Sequence, residues 1–290
     1  MLILNYELHS FQLLELLSMT VMSGTPHRTT ISPRRLGMLT PSSNTALEPI
    51  CNAMLAATPE VSVHFARFRV TEISLSAAAN RQFSRDGMLH AAELLGDARV
   101  NAICWNGTSA SWLGLDRDRD LCGAIRHATG VAATSSVLAM VDLLRNAGLT
   151  TLGLVSPYVD QVQRQIAQTL AAEGFEVVAE RHLSLSENFA FAEVTPLQIE
   201  DMIRAVAEAK PQAIVIMCTN LRGASLVEAL ERELSVPILD SVATAMWGGL
   251  RIAGIPPDRV KGWGRLFTGL EAAADSRPLI ETAGRSTSGE

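Results

Sequence analysis

From Arg35 onward, short continuous apolar runs alternate with longer stretches in which apolar residues recur every three to four positions. The short runs read as buried strands and the periodic stretches as amphipathic helices. This reading predicts strands at Arg35–Thr40, Val61–Val70, Ala98–Trp105 and Val131–Thr134, then at Thr151–Val155, Glu176–Glu180, Ala213–Met217 and Pro237–Leu239. Helices are predicted at Ala46–Ala57, Arg81–Leu95, Leu115–Thr129, Val137–Ala147, Val162–Glu173, Pro196–Ala209, Leu226–Leu234 and Ala243–Ala253. Gly148 and Gly174 stand where two of these helices should stop, and Pro196 where another should start. The rhythm predicts an α/β protein whose mainly parallel sheet is covered by helices on both faces. It restarts after Thr134, so Arg35–Thr134 and Ser135–Leu239 read as an internal pseudo-duplication.

Ligands of open α/β sheets bind beyond the carboxyl ends of the strands. Four strand-exit loops carry small, polar or reactive residues there: Pro41–Asn44, Asn106–Ser109, Pro157–Tyr158 and Cys218–Asn220. Cys218 follows an unbroken apolar run, where neighbouring amides and the next helix can act on its sulfur. Gly107 allows a ligand close to the backbone, and Thr108 and Ser109 offer hydroxyl donors. Tyr158 presents a phenol at a further strand end. A buried core thiol, an ordinary capped turn and a packed ring are the plain alternatives for these three features.

Composition excludes several classes. The 290 residues are 48% apolar and 19% charged, which excludes a disordered chain, and no run of 18 apolar residues suggests a membrane span. With 24 basic against 30 acidic residues, nothing draws the chain to nucleic acid or an anionic membrane. Lys210 and Lys261 are the only lysines and neither sits in a phosphate loop. Cys51, Cys104, Cys122 and Cys218 are widely spaced, so a zinc ribbon, another metal site or a dithiol redox site is not expected. A reduced cytoplasmic setting is the default for such a chain. None of the six histidines falls in a strand-exit loop, and Asp116, Asp118 and Asp120 alternate with arginines like a solvated helix start. Residues 1–34 read as a disordered N-terminal extension without a signal peptide's basic start, with Met19 or Met22 as alternative initiators, and 271–290 as a flexible tail.

Five segments in order, LTPSSNT (Leu39–Thr45), NGTSASWLG (Asn106–Gly114), SPYVDQV (Ser156–Val162), MCTN (Met217–Asn220) and GWGRLF (Gly262–Phe267), resemble the aspartate/glutamate racemase superfamily. The resemblance is to its branch of maleate isomerases and arylmalonate decarboxylases. It implies two pseudo-symmetric α/β lobes, residues 35–134 plus 240–270 and residues 135–239, with the active site in the cleft between them. Racemases and maleate isomerases of this kind carry one cysteine per lobe. Here the second-lobe cysteine matches Cys218, but the first-lobe position falls on Gly107. One thiol with a GTS-x-S loop is similar to the arylmalonate decarboxylases.

That likeness implies a cofactor-independent decarboxylase of a substituted malonate-type dicarboxylate. Thr108, Ser109, Tyr158 and amides near Thr219 would hold one carboxylate, and Cys218 would protonate the resulting enediolate. Pro41, Ser42, Asn44 and Gly107 complete the expected binding set with Thr219 and Asn220. The last two replace a pair of glycines in the resembling decarboxylases, so with Arg222 they point to a polar or anionic substrate group in place of a ring. A maleate cis-trans isomerase or an Asp/Glu-type racemase is the alternative, and a non-catalytic carboxylate-binding protein the third reading. The expected partner is a small carboxylate, and a homo-oligomer is compatible with all three.

Overall fold

The computed structural model describes residues 33–270. The segments read as an extension and a tail lie outside the described residues, except for Pro33 and for Arg34, which is assigned to the extension by its sequence but already belongs to the first strand.

The first sheet contains β1 (Arg34–Pro41), β2 (Val61–Phe68), β3 (Ala102–Trp105) and β4 (Ala133–Ser135), in the order β2-β1-β3-β4. The second contains β5 (Thr151–Tyr158), β6 (Glu176–Leu185), β7 (Ala213–Ile216) and β8 (Ile238–Asp240), in the order β6-β5-β7-β8. All pairings within the two sheets are parallel. The same strand order thus occurs twice, as the repeated sequence rhythm requires. β3 and β7 are buried at every residue, which is why they read as continuous apolar runs.

Parallel strands need crossovers. The helices are α1 (Leu47–Met54), α2 (Ala77–Arg81), α3 (Arg85–Asp97), α4 (Ala110–Leu113), α5 (Leu115–Thr129), α6 (Ser136–Asn146), α7 (Asp160–Ala172), α8 (Pro196–Ala207), α9 (Val227–Leu234) and α10 (Ser241–Ile252); all but α6, which links the two sheets, and α10, which follows the last strand, lie in crossovers. Local chemistry sets their ends. Thr195 and Gln198 form a capping box ahead of Pro196, and Gly148 and Gly174 adopt the positive φ that ends α6 and α7. The predicted helix over Arg81–Leu95 is divided, because Ser84 takes an extended conformation and starts α3 anew. The strand predicted from Ala98 begins at Ala102, since α3 runs to Asp97 and Arg99 reverses the chain at positive φ. β5 continues through Ser156-Pro157-Tyr158, the residues expected to form its exit loop.

Helix α10 follows the second sheet but packs on β3 and β4 of the first, and also on α6. Ser136 Oγ donates to the Ser241 carbonyl at 2.6 Å, joining the starts of α6 and α10. At the opposite edges, the loops leaving β2 and β6 meet. Ile73 N–H donates to the Ser186 carbonyl at 2.8 Å and Asn188 N–H to the Thr71 carbonyl at 2.9 Å, around an antiparallel bridge between Glu72 and Glu187. This interlobe strap had no signal in the periodicity.

Candidate active site

The carboxyl ends of β1, β3, β5 and β7 converge, so the loops singled out in the sequence become neighbours. Cys218 lies just beyond β7, with 2% of its surface exposed. Its sulfur accepts a hydrogen bond from the Asn220 amide at 3.3 Å. Burial pushes the thiol up to about 12, against weaker pulls from the Tyr158 hydroxyl and the Asn220 and Leu221 amides. The charge of Asp240 adds to the rise. Such a thiol holds its proton throughout the physiological range.

Tyr158, the last residue of β5, shares a 2.7 Å hydrogen bond with Thr108 across the lobes. Burial holds this phenol well above its usual value, so it too stays protonated. Ser111 Oγ donates to the Thr108 carbonyl at 2.6 Å and fixes the loop. Ser109 is buried at the start of α4, where its side chain makes no capping bond. Thr108, Tyr158 and Cys218 therefore form one buried group of three protonated donors.

The two asparagines are committed to the protein. Asn44 Oδ1 accepts from the Ala46 and Leu47 amides at 3.1 and 2.9 Å, capping α1. Its Nδ2 donates to the Thr219 carbonyl at 3.1 Å and hydroxyl at 3.3 Å. Thr219 Oγ1 in turn donates to the Asn106 carbonyl at 3.1 Å. Asn220 Oδ1 accepts from the Thr45 and Ala46 amides at 3.0 and 3.2 Å, and its Nδ2 donates to the Asn188 carbonyl at 2.5 Å. These residues, expected to touch substrate, join the two lobes around Cys218. Pro41 is buried as the last residue of β1. Ser42 is exposed and exchanges hydrogen bonds with the backbone of Val70, at 3.1 and 3.3 Å. Arg222 is likewise exposed, its Nε donating to the Ala192 carbonyl at 3.1 Å.

Two features escaped the sequence reading. One is a belt of aromatic edge contacts: Phe68–Trp105 at 5.2 Å, Phe83–Trp105 at 6.3 Å, Phe83–Trp112 at 6.0 Å, Trp112–Tyr158 at 5.3 Å and Tyr158–Phe191 at 5.4 Å. These residues are scattered over 124 positions of sequence, and only the fold collects them. The other is buried acid. Asp240 is fully buried at the end of β8, with Oδ1 accepting from the Val242 and Ala243 amides and Oδ2 unpartnered. Burial raises it to about 7. An aspartate ahead of a helix does signal a cap, but not its depth. Asp118, read as solvated, is also buried and raised to about 7, because it falls on the inward stripe of α5 with Leu115, Leu121 and Ile125.

A family model described as arylmalonate decarboxylase matches residues 37–267. The chain belongs to the arylmalonate decarboxylase family. Within reach of that family, the arylmalonate decarboxylase of Bordetella bronchiseptica is 31% identical over 164 residues, 56% of this chain and 68% of that protein. The maleate isomerase of Nocardia farcinica is 30% identical over 243 residues, 81% of this chain and 95% of that protein. A solved structure of the Nocardia farcinica maleate cis-trans isomerase, a cysteine-to-serine mutant with a covalently bound succinylcysteine intermediate, superposes with a TM-score of 0.73 at 26% identity, covering 81% of this chain and 98% of that one. The family thus contains enzymes of both kinds, and the chain has the Asp/Glu racemase-like fold they share.

Proposed function

We propose that this member of the arylmalonate decarboxylase family is a cofactor-independent decarboxylase of a substituted malonate-type dicarboxylate. The observation that carries the reading is a single buried, protonated thiol beside the Thr108–Tyr158 pair, with no second thiol across the cleft. Cys104 does not supply one: a Cβ on Gly249 of α10 would lie 2.6 Å from its sulfur, so Cys104 points into the helix packing. Cys51 is buried in α1, and Cys122 lies on α5.

Thr108, Ser109 and Tyr158 donate to one substrate carboxylate. The other carboxylate lies against aromatic and apolar side chains, where nothing repays its loss of water, so departure as CO2 is favoured. As the C–C bond breaks, its electron pair enters the retained carboxylate to form an enediolate, which the hydroxyl donors stabilise. Cys218 S–H then gives its proton to the α-carbon, and the thiolate is reprotonated from solvent. A donor must hold its proton at the working pH, which burial ensures for Cys218, whereas a nucleophile would act as the thiolate.

A maleate cis-trans isomerase is the second reading, supported by the nearly full-length match to the Nocardia farcinica enzyme. Both readings are tested by incubating the protein with substituted malonates, maleate and amino acids in D2O and following the mixtures by NMR. The decarboxylase reading expects CO2 release and one deuteron at the α-carbon. Conversion of maleate to fumarate without CO2 release selects the isomerase.

A further inference from the structure

Gly107 lies in the loop after β3, at the place where the resembling two-thiol enzymes carry their first-lobe cysteine. Its neighbour Asn106 accepts from Thr219, and its other neighbour Thr108 bonds to Tyr158, whose hydroxyl acts on the Cys218 thiol. Glycine is not required there by backbone conformation, since Gly107 is not among the positive-φ residues. The requirement is steric. A Cβ on Gly107 would lie 2.0, 2.4 and 2.6 Å from three carbons of the Trp105 six-membered ring, far inside van der Waals contact. The indole has little room to yield, being fully buried and wedged by Phe68 and Phe83.

We propose that Trp105 is the specificity-determining residue that restricts this site to one proton-transferring face, because its indole fills the space any side chain at position 107 would need. The inference rests on the decarboxylase reading for its chemical consequence, but its steric core does not. With the indole in place, no side chain can stand at position 107, and a planar enediolate meets a proton donor from the Cys218 side alone. The product then carries a single configuration. Trp105 acts as a positioning and excluding group, not as a catalytic residue.

Two measurements test this. In thermal melts, Gly107→Ala should lower Tm by several degrees in the native background. It should cost almost nothing in a Trp105→Leu background, where the offending ring is gone. Equal cost in both backgrounds overturns the proposal whatever the enzyme's activity. In the second measurement, the decarboxylation product is returned to Gly107→Cys, Trp105→Leu and Trp105→Leu/Gly107→Cys proteins in D2O and its configuration is followed. In the double variant, a thiolate at position 107 removes the α-proton to form the enediolate and Cys218 returns one from the opposite face. Racemisation should exceed that of either single variant by at least about tenfold, equivalent to about 1.4 kcal/mol of barrier. Racemisation by Gly107→Cys alone at the rate of the double variant overturns the proposal. If the wild type turns over no malonate while the melting rescue is found, the functional reading falls and the steric assignment stands.

Discussion

At the scale of single residues, the site depends on which groups keep their protons. The Cys218 thiol, raised to about 12 by burial, is a donor over the whole working range. On the decarboxylase reading its acid form is the active one, so ionisation would remove activity only as pH approaches that value. A pH–rate profile of kcat should therefore show no alkaline fall from the thiol below about pH 10. Replacing Cys218 by Ala should lower kcat by several orders of magnitude, and an unchanged rate would remove it from the mechanism. Tyr158→Phe deletes the hydroxyl that faces both Thr108 and Cys218 while keeping the ring in the aromatic belt. A loss of about 10²-fold in kcat, with little change in Tm, is expected for one missing oxyanion donor.

The residue scale also marks the limit of sequence reading. That Cys218, Thr108 and Tyr158 come together was legible because the carboxyl ends of parallel strands lie side by side, although Tyr158 is the last residue of β5 and not part of a loop. Asn44, Thr219 and Asn220, expected to bind substrate, do lie near Cys218, but their polar atoms are bonded within the protein across the lobes. An asparagine side chain has the same donors and acceptors for a backbone as for a ligand, and only distances distinguish the two. Trp105 read as the end of a buried strand. That its ring folds back over Gly107, two residues on, is a rotamer decided by Phe68 and Phe83, which are distant in sequence.

At the scale of elements, the loops are held by few but buried bonds. Asn220 accepts from two amides of the β1–α1 loop and donates to the Asn188 carbonyl beyond β6. Truncation to Ala leaves those groups without partners, so Asn220→Ala should cost about 2–4 kcal/mol in urea unfolding. A cost within experimental error would show that the interlobe clamp is carried elsewhere. Strands and helices were largely legible because parallel sheets bury both faces and leave unbroken apolar runs. Errors fell where a single backbone torsion overrode periodicity, as at Ser84 and Arg99.

At the scale of the whole molecule, Asp118 on α5 in the first half and Asp240 at the end of β8 in the second are raised to about 7 by burial. The native protein therefore binds protons that the unfolded chain has already released, between the ordinary carboxylate range and about pH 7. Stability falls as pH rises through that window, and these two acids contribute fully only below it. Tm should be higher near pH 5 than near pH 8. Asp240→Asn, which retains the Oδ1 cap, should reduce that difference, and an unaltered pH dependence would exclude Asp240 as a contributor. Among the described residues, no helix is long and apolar enough to cross a membrane.

By itself, the sequence determined the α/β class, the repeated order of elements and the loops from which chemistry is drawn, because periodicity and turn residues act locally. The tertiary structure alone decided which polar groups are free and which are consumed in joining the lobes. It also decided that two acids are buried and that an indole excludes any side chain opposite the thiol. Those outcomes depend on contacts between residues far apart in the chain, where burial and packing, not local propensity, set the energy.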